Sequence, residues 1–225
     1  NEPDVPWQDN LTPNQFAQIY HDLYTALKAA DPSARVAVGA IAQATPLRLE
    51  YLDQTLGAYR QRYERPLPAD LWTVHGFVLR EQRDRSGAGV PQGLSADAGR
   101  LYEVSDHARV DLFAQQIVAF RGWMAARGYG GSPLALTEFG VLMPQELGFG
   151  EEVKAAYLRE TFDWLDSARD PALGDAADGY RLVQRWAWFS LGDALYPASD
   201  LADLANLRLT PLGMAYRAWV EGKRQ

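Results

Sequence analysis

Apolar positions along the chain fall into two rhythms, a helical spacing and short continuous runs, and the two alternate from end to end. Thr12-Pro13-Asn14-Gln15 reads as a helix start, with Thr12 as N-cap, Pro13 in the first turn and Gln15 placed to close a capping box. Phe16, Ile19, Tyr20, Leu23 and Leu27 then recur at helical spacing up to Asp31-Pro32. Arg35 to Ala42 is short, apolar and rich in small and β-branched residues, the signature of a buried parallel strand. The alternation continues with a helix from Pro46 to about Arg62 and a strand over Leu71–Val78. A helix opening at Ser105 or Asp106 then runs through Met124 to the glycines from Gly128 onward, followed by a strand over Pro133–Gly140. A helix over Glu151–Ala168, a strand over Leu182–Leu191 and a last helix starting at Thr210-Pro211 complete the series. Strands joined by helices of this length predict an α/β fold with a parallel sheet and helical crossovers.

No repeat, linker or low-complexity tract divides the chain, so residues 1–225 are read as a single domain. At 225 residues and 47% hydrophobic content the chain can bury a real core. No apolar run approaches the ~18 residues of a membrane span, which excludes a spanning helix. The net charge of −7 argues against general nucleic-acid binding, which needs clustered Lys and Arg. The absence of cysteine removes disulfides, thiolate metal sites and thiol nucleophiles. No group has metal-ligand spacing and no glycine-rich phosphate loop follows a strand, so no cofactor is expected. No Gly-x-Ser-x-Gly elbow is present either, which disfavours a serine hydrolase.

Parallel α/β sheets carry their chemistry at the carboxyl ends of strands. The polar residues at those ends are Gln43, His75 and Glu138, and on the last strand Trp188 with Ser190 and Asp193. Glu138 closes an apolar run and is followed by Phe139-Gly140, so a carboxylate is held at the rim of a core. It is either a functional carboxylate or a rim residue paired with a neighbouring arginine such as Arg185. His75 is either a site residue or a buried imidazole satisfied by a backbone carbonyl. Asn1-Glu2-Pro3-Asp4 begins with neither methionine nor a basic-then-apolar leader, and Asn1-Glu2 stands where a preceding strand would hand over to its loop. The expectation is a segment of a longer protein, in which neighbours hold Glu2 in geometry.

Asn1-Glu2-Pro3, His75-Gly76-Phe77, Thr137-Glu138-Phe139-Gly140 and Trp186-Ala187-Trp188, in this order on successive strand ends, resemble the second half of a clan A retaining glycoside hydrolase. That superfamily of (β/α)8 TIM barrels includes the cellulase family. The resemblance covers nearly the whole chain, but only from the end of barrel strand four through strands five to eight. It implies a glycosidase cleaving a β-glycosidic bond by double displacement, with Glu2 as general acid/base and Glu138 as nucleophile. It further implies Glu2 protonated and Glu138 ionised at rest. Asn1 would bond the sugar 2-hydroxyl, His75 would line the same subsite, and the Trp188 ring would form the floor beside the cleaved bond. Phe77 departs from the pattern, since many clan members have tyrosine there, close to the nucleophile. The implied partner is an oligosaccharide or polysaccharide, and an extracellular location follows from the resemblance alone.

Trp7, five residues after Glu2, is a second sugar platform or a cover on the barrel rim. Trp123, Trp164 and Trp219 fall in helical stripes and read as core, whereas His21 and His107 read as surface residues. The stretch between Arg80 and Arg100 either overhangs the cleft or is a solvated loop. The competing reading is a non-catalytic carbohydrate-binding or surface protein on the same scaffold. About 5 Å between the carboxyls of Glu2 and Glu138 favours a retaining pair, and ~6.5–9.5 Å an inverting one.

Overall fold

Helix α1 (Pro13–Ala30) starts as the sequence dictates: the Thr12 hydroxyl accepts from Gln15 N–H at 3.3 Å, and the Gln15 side chain accepts in return from Thr12 N–H at 2.9 Å. The computed structural model describes residues 1–223. After α1 come β1 (Ala37–Ile41), α2 (Pro46–Tyr63), β2 (Leu71–His75), α3 (Val110–Ala126), β3 (Leu134–Glu138) and α4 (Glu151–Ser167). The chain then forms β4 (Arg185–Trp186), the short hairpin β5 (Ala202–Asp203) and β6 (Arg208–Leu209), and α5 (Pro211–Gly222). Among the described residues the result is a mixed α/β fold with five α-helices and a four-stranded sheet in the order β1-β2-β3-β4, every neighbouring pair parallel.

Aromatic clusters from the helices pack against the sheet. Trp72 on β2 meets Phe120 and Trp123 of α3 edge-on, at centroid distances of 6.2 and 5.0 Å. Farther along, Phe113 of α3, Phe139 after β3, Phe162 of α4 and Trp188 form one continuous buried group. On α1 the expected stripe splits. Phe16 and Tyr20 are buried, with Phe16 stacked on Tyr51 of α2, while Ile19, Leu23 and Leu27 face outward.

The strands are shorter than expected, and the largest differences fall at α3 and β4. Helix α3 starts at Val110, not at residue 105 or 106, because Glu103 and Asp106 cap a separate 3-10 turn over Val104–Asp106. Strand β4 is regular over two residues only, although Gln184 N–H donates to Leu134 O, Ala187 N–H to Leu136 O and Phe189 N–H to Phe139 O. The segment thus follows β3 on both sides of a short ladder. The β5–β6 hairpin has no counterpart in the sequence reading.

In the register of β2 and β3, His75 pairs with Glu138, so the two strand-end residues meet. Gly76 makes the approach possible: its N–H donates to Glu138 O at 2.8 Å, and a Cβ there would lie 2.6 Å from the Phe113 ring. Phe113 is fully buried and has nowhere to move. Gly76→Ala should therefore destabilise the protein by ~1–3 kcal/mol, read as a lower denaturation midpoint with an unchanged denaturant slope. An unchanged midpoint would show that this contact relaxes freely.

Candidate active site

Three segments deliver the polar groups at the carboxyl end of the sheet. The first is the turn around Glu2, closed by Val5 N–H donating to Glu2 O at 3.1 Å and Leu11 N–H donating to Pro3 O at 2.8 Å. The Tyr51 hydroxyl fastens it to α2 by donating to Leu11 O at 2.9 Å. Glu2 has φ +44°, a left-handed conformation rarely taken by a non-glycine residue and one that costs local strain. Glu2 is nonetheless buried, so its surroundings hold it there. The second and third segments are the ends of β2 and β3, which supply His75 and Glu138.

The three side chains converge. His75 is buried, with Nδ1 at 2.8 Å from Glu2 Oε1 and Nε2 at 3.6 Å from Glu138 Oε1. One oxygen of each carboxylate and one imidazole nitrogen all lie within 4.8 Å of one another. The partners of His75 are thus carboxylates rather than a backbone carbonyl. Glu138 likewise faces His75 and not Arg185, which pairs in register with Ala135 three residues back along β3 and lines a small pocket beside Leu134. Burial pushes the Glu138 carboxyl above its usual range; the His75 imidazole pulls it down, and the Glu2 carboxylate pushes it up further. Burial therefore works against the ionised Glu138 that the resemblance implies, while the imidazole works for it. Among the described residues, these three side chains also form a set whose donor atoms lie close enough to hold a metal ion. The imidazole, however, engages Glu2 through one nitrogen and faces Glu138 with the other, an arrangement suited to hydrogen bonding rather than to a shared ion.

Glu2 and Glu138 open into a cleft of about 1090 Å³ whose lining includes Asn1, Trp7, Phe77 and Phe189. Asn1 lines the cleft. Trp188 does not. Its ring packs against Phe139 and Phe162, its indole N–H donates to Ser199 O at 2.9 Å, and it is buried beneath the cleft. The reason is strand alternation: Trp186 and Trp188 share a face, and both contact Phe162 of α4. The next residue, Phe189, points to the other side and lines the cleft. Trp7 is the tryptophan that presents a free ring there, at 51% exposure.

Residues 80–100 form a hydrogen-bonded wall, much of it exposed, that lines the cleft through residues such as Arg83, Ser86 and Gly89. Glu81 N–H donates to Arg100 O at 2.8 Å, Gly99 N–H returns a bond to Glu81 O at 2.9 Å, and Arg83 donates to Ala96 O at 2.7 Å. His107, expected at the surface, is buried. Its Nδ1 lies 3.0 Å from Val78 O, and its Nε2 accepts from Leu142 N–H at 2.8 Å, which ties the exits of β2 and β3 together. Burial holds its pKa below the usual imidazole value.

No family model matches the chain, and no curated protein matches it. Solved structures do. A glycoside hydrolase family 128 (subgroup II) endo-β-1,3-glucanase from Pseudomonas viridiflava aligns over 96% of this chain with a TM-score of 0.59 and 21% identity. The subgroup II endo-β-1,3-glucanase from Sorangium cellulosum aligns over the same share with a TM-score of 0.57 and 16% identity. At such identities the likeness is one of fold. The chain spans 66% of the length of each.

Proposed function

We propose that this chain carries the catalytic carboxylates of a retaining glycoside hydrolase acting on a β-linked glucan. Glu2 is the general acid/base and Glu138 the nucleophile, on what corresponds to the second half of a clan A (β/α)8 barrel. The observation that carries the reading is the convergence of both carboxylates on one buried imidazole, with oxygens within 4.8 Å. Carboxylate oxygens no more than 4.8 Å apart fit the close spacing of retaining pairs, ~5–5.5 Å between carboxyl groups, better than the ~6.5–9.5 Å that accommodates an inverting water. The fold shared with two endo-β-1,3-glucanases supports the substrate class.

The chemistry follows from the placement. A glycosidic oxygen leaves only as it is protonated, and Glu2 supplies that proton while the Glu138 carboxylate attacks the sugar carbon from the opposite face. The resulting ester is released when Glu2, now ionised, takes a proton from water. His75 stands between them, with Nδ1 on Glu2 and Nε2 toward Glu138, so one ring links the two carboxyls whose roles this mechanism keeps unequal. The exposed indole of Trp7 and the ring of Phe189 offer flat apolar faces to the C–H faces of the sugars.

The test is hydrolysis of β-1,3- and β-1,4-glucan oligosaccharides followed by proton NMR. The β-anomer should appear first and then mutarotate. Initial release of the α-anomer would replace the mechanism by inversion. Binding without turnover across the panel would favour the carbohydrate-binding reading instead. For Trp7→Ala, KM should rise about 10-fold with kcat within about 3-fold, because a platform contributes binding common to ground and transition states. An unchanged KM would remove Trp7 from the subsites.

A further inference from the structure

Behind the cleft lies a buried ionic cluster that the chemistry above does not use. Arg48, in the first turn of α2, is fully buried, as are Asp4 and Glu81. Its guanidinium reaches in three directions. Nη1 donates to Asp4 Oδ2 at 2.6 Å and to Asp4 O at 3.1 Å. Nη2 donates to Ala88 O at 2.5 Å and to Gly89 O at 3.3 Å. Nε lies 3.1 Å from Glu81 Oε1. Glu81 in turn accepts from the Thr45 hydroxyl at 2.5 Å and from Arg100 N–H at 2.7 Å. Asp4 also accepts from Ala42 N–H, just past the end of β1, at 3.3 Å.

These contacts join two elements far apart in sequence. Asp4 lies two residues after Glu2, in the strained turn that carries it, whereas Ala88, Gly89, Glu81 and Arg100 belong to the 80–100 wall. Gly89, at φ +63°, lets the wall close on the turn: a Cβ there would lie 3.0 Å from Pro6 and 3.2 Å from Trp7. The wall and the turn thus lean on each other over a single buried cation. A planar guanidinium fork can donate to Asp4 and to the Ala88 and Gly89 carbonyls while holding its charge against Glu81, a geometry that a lysine ammonium cannot reproduce.

We infer that Arg48 is a positioning residue for the general acid, holding the Glu2 turn and the 80–100 wall in one fixed arrangement. The inference rests on the assignment of Glu2 as acid/base. Arg48 touches no substrate; it acts through Asp4 on the backbone that aims Glu2.

Arg48→Lys keeps the charge and loses the fork, and the full chain carrying it provides the test. Hydrogen exchange should rise at least about 5-fold in residues 1–11 and 80–100 together, with α3 and α4 unchanged. On a β-1,3-gluco-oligosaccharide kcat should fall at least about 10-fold, and on a dinitrophenyl β-glucoside, whose leaving group needs no proton, kcat/KM should fall less than about 3-fold. Equal losses on both substrates would overturn the inference, because a merely structural role does not distinguish leaving groups. So would exchange that rises in one segment alone or uniformly through the molecule. If the unaltered protein hydrolyses neither substrate, the glycosidase reading fails, and the coincident or separate rise in exchange still decides whether Arg48 joins the two elements.

Discussion

Replacing Glu138 with alanine should lower turnover of any substrate the cleft accepts by at least ~10⁴-fold, or about 5 kcal/mol of transition-state stabilisation, while the protein still folds. Glu138 sits at the end of β3 with its backbone carbonyl committed to Gly76 N–H, a bond that the substitution keeps. Only the carboxylate that would bond to the sugar is lost. Substantial residual turnover would end the nucleophile assignment. Glu138→Gln adds a second readout in stability. Burial raises the Glu138 pKa in the folded state, so the folded protein binds that proton more tightly than the unfolded chain does. Ionised Glu138 therefore costs stability above its folded pKa, and the cost disappears as the pH falls below the ordinary glutamate value of 4.5. The glutamine variant should melt higher than the unaltered protein at pH 7, with the gap closing toward pH 4. A lower melting point at pH 7 would show that the imidazole contact outweighs burial.

Replacing Glu2 with alanine should give the second largest loss, on the order of 10²–10⁴-fold on an oligosaccharide, the usual contribution of a positioned general acid. The loss should depend on the leaving group. With a dinitrophenyl glycoside the first step needs no proton, so kcat/KM should stay within about 10-fold, while kcat falls because the ester on Glu138 now waits for unassisted water. Azide, an anion that needs no deprotonation, should restore kcat and yield a β-glycosyl azide. Equal losses on both substrates, with no effect of azide, would assign Glu2 a structural role beside His75.

Much of this architecture is legible in the sequence because local signals and tertiary demands agree. Thr12 and Gln15 cap α1 in the structure as their spacing predicts, and Thr210-Pro211 opens α5 likewise. His75 and Glu138 stand out as polar groups ending apolar runs, and the β2–β3 register brings them together. What escapes the sequence depends on which face of an element meets which neighbour. Period-2 alternation places Trp186 and Trp188 on one side of the last strand but does not say that α4 covers that side. Alternation alone therefore leaves open whether Trp188 or Phe189 faces the cleft. His107 reads as an ordinary polar residue near a helix start, and only the approach of Val78 and Leu142 from two other segments buries it. Arg48 escaped for a related reason. A charged residue in the first turn of a helix normally points to water, and nothing local announces two distant carboxylates and three carbonyls. The β5–β6 hairpin pairs two residues per strand, too few to leave a periodic trace.

The exposure of Trp7 has a practical consequence. Of the seven tryptophans in the chain, Trp72, Trp123 and Trp188 are buried and Trp164, Trp186 and Trp219 are partly covered, so only Trp7 emits from a largely aqueous setting. Its indole borders the cleft, and a saccharide seated there would strip water from that one ring. The red edge of the protein's intrinsic fluorescence is therefore a built-in, label-free gauge of occupancy, and a turnover-dead Glu138 variant would allow each saccharide to be titrated without being consumed.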